Sequence, residues 1–145
     1  KLFEDPIICT MRADSPYARR TASDAMTLED YLDLPHVAPT QMLPGYHGVI
    51  DAWLERHGLQ RRVAVESPYF GVIPYMLTQS DLVLTTGRQF IRAFEKTLPL
   101  KSFTVPLKFP PMRFYQLWHQ RVHQSTEHKW LRDQVSSAAK ALIKE

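Results

Sequence analysis

Segments typical of β-strands alternate with segments typical of helices through the middle of the chain, from Val37 to Phe94. The strand segments are short and rich in β-branched residues, whereas the helical segments place their apolar residues on one face. This alternation predicts right-handed βαβ units and a parallel sheet that helices cover on both faces. A chain of 145 residues is long enough to bury a core of its own. The sequence therefore predicts an α/β fold.

Local patterns predict the individual elements. Predicted strands lie at 7–11, 36–38, 62–66, 81–86, 103–107 and 113–119, and predicted helices lie at 27–34, 47–57, 69–78, 88–96 and 126–144. Thr27 and Ser125 are suitable N-caps, and Gly58 is a suitable C-terminal stop. Pro74 predicts a kink or an early break in its helix near Ile73. The polar residues 13–26 are predicted to form a loop.

The composition argues against several classes of protein. A single cysteine, Cys9, excludes an intramolecular disulfide and a cysteine-rich zinc site, and it suits a reducing compartment. The net charge is only +3, and the pairs Arg19-Arg20 and Arg61-Arg62 are scattered. We expect these arginines on a solvated face and not in a nucleic-acid-binding stripe. No apolar run approaches the roughly 18 residues that a membrane-spanning helix needs.

Familiar catalytic motifs are absent from the sequence. Gly45 and Gly48 fit neither of the glycine-rich phosphate-binding patterns, and the nucleophile-elbow motif G-x-S-x-G does not occur. Cys9 lies in the middle of a predicted strand, where a thiol is typically a small buried apolar group. We therefore expect no enzymatic activity and no cofactor.

Three histidines give the nearest approach to a metal-binding pattern. His119 and His123 are four residues apart, and His128 follows shortly after them. However, Gln120 occupies the position at which a metalloprotease has glutamate. We expect surface or capping histidines and no metal, although a metal-dependent enzyme stays an alternative.

One set of polar and aromatic residues is predicted to form a ligand site. Ligands of open α/β sheets bind at the carboxyl ends of strands, near helix N-termini. The residues at these ends are Pro39-Thr40-Gln41 with Tyr46-His47, then Pro68-Tyr69-Phe70, then Thr85-Thr86-Gly87. Backbone N–H groups at 46–48 would favour a carboxylate. Ordinary caps and turns would explain the same residues, and spacing alone leaves both interpretations open.

Six segments of the chain are similar to a known family. They are YLDLPHV at 31–37, VID at 49–51, LQRRVAV at 59–65, SDLV at 80–83, LWH at 117–119 and HKWLR at 128–132. In this order and spacing they resemble the effector-binding domain of LysR-type transcriptional regulators. Within that family the sequence is most similar to the branch that senses aromatic acids and flavonoids.

This resemblance implies a periplasmic-binding-protein-like fold of type II, with the effector in a cleft between two subdomains. Residues 1–12 would form a crossing strand from subdomain I, 13–113 the regulatory subdomain II, and 114–145 the return crossing strand and the C-terminal helix of subdomain I. Because an apolar segment begins soon after Lys1, we expect a longer protein. A winged helix-turn-helix that binds DNA would precede this residue.

The resemblance also implies site residues and partners. Position by position, a small aromatic or carboxylate effector would contact Thr40, Gln41, His47, Tyr69 and Phe70. The full-length protein would be a cytoplasmic homodimer or homotetramer with no membrane partner. Its oligomer interface would use the helix at 48–57, with the following anchors: Trp53 and Ile50. An extracytoplasmic solute-binding protein with the same general fold is the alternative.

Overall fold

The computed structural model describes residues 1–40 and 48–144. The strands are β1 (Phe3–Asp5), β2 (Ile7–Arg12), β3 (His36–Pro39), β4 (Val63–Ser67), β5 (Leu84–Gly87), β6 (Leu100–Thr104) and β7 (Met112–Phe114). The helices are α1 (Pro16–Arg20), α2 (Leu28–Asp33), α3 (Val49–Arg56), α4 (Ile73–Thr78), α5 (Arg88–Glu95) and α6 (Thr126–Lys144). Two 3-10 turns occupy Phe70–Val72 and Gln120–Val122.

The strand β2 is the central strand of a three-stranded antiparallel sheet. It pairs antiparallel with β5 on one side and with β6 on the other, whereas β3 and β4 pair in parallel. Two backbone hydrogen bonds of 2.9 Å, from Val37 N to Val83 O and from Val83 N to Pro35 O, join β3 to the segment before β5. That connection is also parallel. The predicted parallel arrangement therefore holds for β3, β4 and the approach to β5, but not for β2 and β6.

Alternate residues of β2 face opposite sides of the sheet, as the two-residue period of a strand requires. Ile7, Cys9 and Met11 join one hydrophobic cluster, whereas Ile8 joins a second. The fully buried side chains of the first cluster include Tyr31 and Phe103, and those of the second include Val37, Ile73, Leu77, Leu84 and Ile91. Both faces of this strand are therefore covered. Burial raises the pKa of the Cys9 thiol to about 12, in agreement with a structural cysteine.

Several helix ends follow the local sequence signals. The hydroxyl of Thr27 accepts a hydrogen bond from Asp30 N at 3.1 Å and caps α2. The helix α3 is followed by Gly58 at φ 67°, a left-handed conformation that glycine adopts without a steric penalty. The predicted break near Ile73 is confirmed, because a 3-10 turn precedes α4 and Pro74 occupies its first turn.

Four predicted elements need correction. The strand predicted at 81–86 is displaced to Leu84–Gly87, because its pairing with β2 begins at Leu84. The segment 13–26 was predicted to be a loop but contains α1, which Ser15 caps by accepting from Ala18 N at 3.1 Å. The predicted strand at 103–107 instead spans Leu100–Thr104, because pairing with β2 sets its register. The predicted strand at 113–119 ends at Phe114, because Phe114 faces Phe3, the first residue of its antiparallel partner β1.

The helix α6 confirms its predicted span and contacts β1. The Ser125 hydroxyl accepts from His128 N at 3.3 Å, as an N-cap does. Its apolar residues Leu131, Val135 and Leu142 are exposed. Across 1–40 and 48–144, no helix combines the length and the apolar character that crossing a membrane requires.

Candidate cleft at the strand ends

A cleft of about 360 Å³ lies at the carboxyl ends of β3 and β5, beside the start of α3. This volume is near the lower end of the roughly 300–1,000 Å³ that small-molecule sites occupy. Further wall residues come from the segment before β4, the 3-10 turn at Phe70–Val72, the start of α5, and the paired strands β1 and β7. The structure thus has a cavity at the edge of the sheet where the sequence predicts a ligand site.

The greater part of the cleft wall is apolar and aromatic. The side chains concerned are those of Ile50, Phe70, Phe90, Met112 and Phe114. The rings of Phe70 and Phe90 have centroids 4.3 Å apart, so they form one continuous aromatic surface. In the ribbon formed by the paired strands β1 and β7, the ring of Phe114 stacks on that of Phe3, with centroids 4.6 Å apart. Walls of this kind favour a flat apolar ligand through burial and ring contacts.

An ion pair forms the charged part of the wall. Arg61 donates from Nε to Asp51 Oδ1 at 2.7 Å and from Nη2 to Asp51 Oδ2 at 2.8 Å. The Arg61 side chain is only 2% exposed, whereas that of Asp51 is 28% exposed. The prediction of a solvated Arg61 is therefore wrong, because the bidentate pair compensates its burial. Arg62 is exposed, as predicted.

Behind the ion pair lies a buried histidine that fixes the arginine. His36 Nε2 lies 2.6 Å from Tyr31 O, and Arg61 Nη1 lies 3.3 Å from His36 Nδ1. Burial lowers the pKa of His36 to about 4, so the ring is neutral near pH 7. A neutral ring with its proton on Nε2 donates to the carbonyl and accepts from the guanidinium. This tautomer satisfies both contacts.

The same buried network reaches the end of β5. The hydroxyls of Tyr31 and Thr85 lie 3.0 Å apart, and burial raises the pKa of Tyr31 to about 12. Thr85 and its neighbour Thr86 both line the cleft and are buried. The network thereby holds one wall residue of the cleft in a fixed orientation.

Asp5 connects the paired strands β1 and β7 with the start of α5. Both of its carboxylate oxygens lie 3.1 Å from Gln89 N, which donates to them. Burial raises the pKa of Asp5. A side chain at Gly87 would collide with this carboxylate, because an added Cβ would lie 2.8 Å from Asp5 Cγ. Glycine at this position therefore lets the carboxylate approach the end of β5.

The structure brings only part of the predicted effector contacts to the cleft. Phe70 lines it, and Thr40 follows the lining residue Pro39 but is exposed, its N–H bonded to Ser67 O at 2.9 Å. Tyr69 is 71% exposed and does not line the cleft. The remaining two, Gln41 and His47, lie outside the residues that the structure describes. The effector-binding role of all five stays a prediction.

The two predicted interface residues both pack within this chain. Ile50 is buried and lines the cleft. The Trp53 ring lies 3.8 Å from that of His57 and 4.5 Å from that of Phe109, measured between centroids. Ile50 therefore belongs to the hydrophobic core, and the partly buried Trp53 packs against that core. The role of both residues in an oligomer stays a prediction.

Several cleft residues were missed by reasoning from the sequence. Phe90 lies one helical turn after the end of β5, so its position near a strand end could have identified it as a cleft residue. Asp51 and Arg61 are ten residues apart and approach each other only through the fold. Met112 and Phe114 reach the cleft by pairing with Asp5 and Phe3, more than a hundred residues away, for which no local signal exists.

The three histidines of the metal-like pattern are all exposed. His119 Nδ1 accepts from Arg121 N at 3.1 Å and caps a 3-10 turn, and His123 Nδ1 accepts from Trp118 Nε1 at 3.1 Å. Within 1–40 and 48–144, no group of three or more His, Cys, Asp or Glu side chains is arranged to hold a metal ion.

Comparison with known proteins defines the class of this chain. The family model of the LysR substrate binding domain matches residues 1–140. The chain therefore belongs to the LysR substrate binding domain family, and both the predicted family and the predicted α/β fold class are confirmed. The solute-binding alternative is not favoured, because the relatives are transcriptional regulators.

Individual relatives show how far the likeness extends. The HTH-type transcriptional activator NagR of Ralstonia sp. is 30% identical over 132 residues, which are 91% of this chain and 42% of NagR. This chain thus spans less than half the length of that relative. A putative transcriptional regulator from Vibrio parahaemolyticus superposes with a TM-score of 0.78 at 21% identity, covering 99% of this chain and 64% of that one.

A ligand-bound structure has the same fold. The effector binding domain of QuiR in complex with shikimate superposes with a TM-score of 0.71 at 13% identity, over 97% of this chain and 64% of the QuiR domain. At this identity, the similarity extends to the fold alone.

Proposed function

We propose that this chain is the ligand-sensing domain of a LysR-type transcriptional regulator and has no enzymatic activity. A small aromatic or carboxylate effector binds in the cleft at the carboxyl ends of β3 and β5. The observation that supports this most directly is the apolar cleft itself, which is rich in aromatic side chains and has few polar groups. Such a composition is typical of small-molecule sites.

The polar groups of the cleft suit recognition of one oxygen-bearing substituent. The helix α3 begins after Gly48, which offers no side chain to cap it. N–H groups of a first helical turn have no partner within the helix and can donate to a ligand oxygen. Thr85 and Thr86 add hydroxyl groups on the adjoining wall. Rings would thus be held by the apolar wall and oriented by these donors.

Known relatives support the same function. NagR is a transcriptional activator, and the QuiR domain, which has this fold, is bound to shikimate. Effector binding would shift the equilibrium between two arrangements of the cleft, provided that affinity for the two arrangements differs. DNA binding would belong to a winged helix-turn-helix elsewhere in the full protein, which would be cytoplasmic and a homodimer or homotetramer.

The pairing of strands β1 and β7 bears on how the chain is divided into subdomains. We infer a crossing strand at 1–12, a regulatory subdomain at 13–113, and a return strand with the terminal helix at 114–145. The antiparallel pairing of Phe3–Asp5 with Met112–Phe114 supports this division, because it brings the two connections together. Asp5, Met112 and Phe114 line the cleft, so movement of this ribbon would change the shape of the site.

Calorimetric titration of the full-length regulator tests the proposal. The ligands are a panel of aromatic carboxylates, phenols and aromatic amides, and the variants are Phe70→Ala and Tyr75→Ala. Tyr75 is the matched control, because it is an exposed aromatic residue of the neighbouring helix that does not line the cleft. We expect Phe70→Ala to weaken binding about tenfold or more, as loss of a buried aromatic contact does, and Tyr75→Ala to leave it unchanged.

Two results would reject this proposal. One is the absence of binding by every ligand of the panel to a regulator that is folded by circular dichroism. The other is binding that Phe70→Ala and Tyr75→Ala leave equally strong. Tyr69→Ala and His47→Ala, measured in parallel, test the two remaining aromatic and imidazole contacts that the sequence predicts.

A further inference from the structure

The charged side chains that line the cleft do not favour binding of an anion. Of the lining residues within 1–40 and 48–144, Arg61 is the only cation, whereas Asp5 and Asp51 are both acids. One positive charge therefore faces two carboxyl groups. Even with Asp5 protonated, Asp51 alone balances the guanidinium, and the described wall has no net positive charge.

The geometry of the ion pair makes the wall less favourable still for an anion. Arg61 uses Nε and Nη2 for Asp51 and directs Nη1 to His36. Its side chain is 2% exposed, but that of Asp51 is 28% exposed. The group that a ligand meets is thus the partly exposed carboxylate, while the cation is buried behind it and uses three of its five N–H donors for Asp51 and His36.

The helix N-terminus does not reverse this balance. Asp51 lies in the first turn of α3, where its negative charge already complements the positive end of the helix dipole. Among the residues that the structure describes, the wall therefore offers a ligand carboxylate no unpaired cation in exchange for its lost hydration.

We propose that the cleft selects an uncharged aromatic molecule with a hydrogen-bond-accepting oxygen, such as a phenol or an aromatic amide, over the corresponding carboxylate. This inference rests on the proposed function and narrows its effector class. The apolar wall takes the ring, and N–H and hydroxyl donors of α3 and β5 take the neutral oxygen. The partly exposed carboxylate of Asp51 repels an acid of the same shape.

Titration of the full-length regulator with benzamide and with benzoate tests this selectivity. The two probes have almost the same shape and differ by one negative charge. We expect benzamide to bind at least about tenfold more tightly than benzoate at pH 7, since like charges in a partly buried site repel each other. The rest of the ligand panel is measured under the same conditions.

A charge-removing variant locates the cause of the selectivity. Asp51→Asn retains the size of the side chain and an acceptor for Arg61, but it removes the negative charge that is paired directly with the guanidinium. We expect it to improve benzoate binding about tenfold or more, as close charge pairs do, and to change benzamide binding by less than about threefold. Asp33→Asn is the matched control, because Asp33 is exposed and does not line the cleft.

The possible results distinguish failure of this inference from failure of the proposed function. If benzoate binds wild-type protein as tightly as benzamide, or more tightly, the inference is wrong while the proposed function stands. If no member of the panel binds, the proposed function is wrong and the inference falls with it. Should Asp51→Asn unfold, the wild-type comparison of benzamide with benzoate still decides.

Discussion

Gly87 offers the sharpest test of how the end of β5 is built. An added Cβ at this position would overlap the carboxylate of Asp5, with Asp5 Cγ only 2.8 Å away. Asp5 is 2% exposed, and both of its carboxylate oxygens accept from Gln89 N, so a shift of the carboxylate away from Gly87 disrupts this contact. The substitution Gly87→Ala must therefore displace the carboxylate, and with it the cap of α5.

The cost has two parts, the lost cap of α5 and the steric overlap of the added methyl group. Losing a helix cap costs about 0.5–2 kcal/mol, and forcing an extra methyl group into a packed site costs about 1–3 kcal/mol. We expect Gly87→Ala to lower the free energy of unfolding by about 2–4 kcal/mol, which corresponds to a fall in Tm of about 10 °C in a chain of this size. Urea denaturation monitored by circular dichroism measures the change.

The matched control is Gly71→Ala. An added Cβ at Gly71 meets nothing within 4 Å, and its backbone φ is ordinary. This variant should be neutral or gain up to about 1 kcal/mol from the less flexible unfolded chain. In a double-mutant cycle, Asp5→Ala should cost less in the Gly87→Ala background than in wild type. Equal losses of unfolding free energy in the two glycine variants would refute the predicted collision. So would a double-mutant cycle in which the costs of Asp5→Ala and Gly87→Ala simply add.

Two further predictions concern stability. Burial lowers the pKa of His36 from 6.5 to about 4. The contribution of the neutral ring to the free energy of unfolding is therefore complete above pH 6.5. It is lost as the pH falls through 4, by roughly 3 kcal/mol in total. His36→Gln should remove this part of the pH dependence in urea titrations at pH 7, 5 and 4, and an unchanged slope would contradict it. Leu77→Ala, at a fully buried side chain, should cost about 2–5 kcal/mol. Leu142→Ala, at a residue 42% exposed, should cost less than about 1 kcal/mol, and similar losses would count against the assigned core.

Elements that depend on local chemistry were predictable from the sequence. Thr27 and Ser125 cap their helices by side-chain hydrogen bonds, and Gly58 ends α3 in a left-handed conformation. The break before α4 follows from the fixed φ of Pro74 and its missing N–H. The helix α1 was missed although Ser15 followed by a proline is a recognisable start, because its polar composition suggested a loop.

Elements that depend on distant pairing were not predictable. The alternation of strands and helices indicates parallel neighbours, but it contains no information about β2, which enters the sheet antiparallel between β5 and β6. The strand β1 exists only because Phe3–Asp5 meets Met112–Phe114 across the chain. Residues 115–119 have the composition of a strand, yet no partner strand pairs with them in the part of the chain that the structure describes.

The location of the candidate site was predictable from the sequence, but the charge of the ligand that it favours was not. The rule that ligands bind at strand carboxyl ends located the edge of the sheet, and it found Phe70, Thr85 and Thr86. It could not reveal that Arg61 is buried, because that depends on Asp51 and His36 arriving from other elements. The sequence favoured a carboxylate ligand from the helix N-terminus alone, whereas the ion pair supports a neutral one.

Amide chemical-shift mapping of the isotope-labelled full-length regulator with benzamide tests most directly whether this cleft is the effector site. We expect saturable shift changes to cluster at residues 48–51 and 85–87, on the two walls of the cleft. Residues 131–142 of α6, which do not line it, should remain unaffected. Changes centred on α6 with none on the cleft walls would contradict the account.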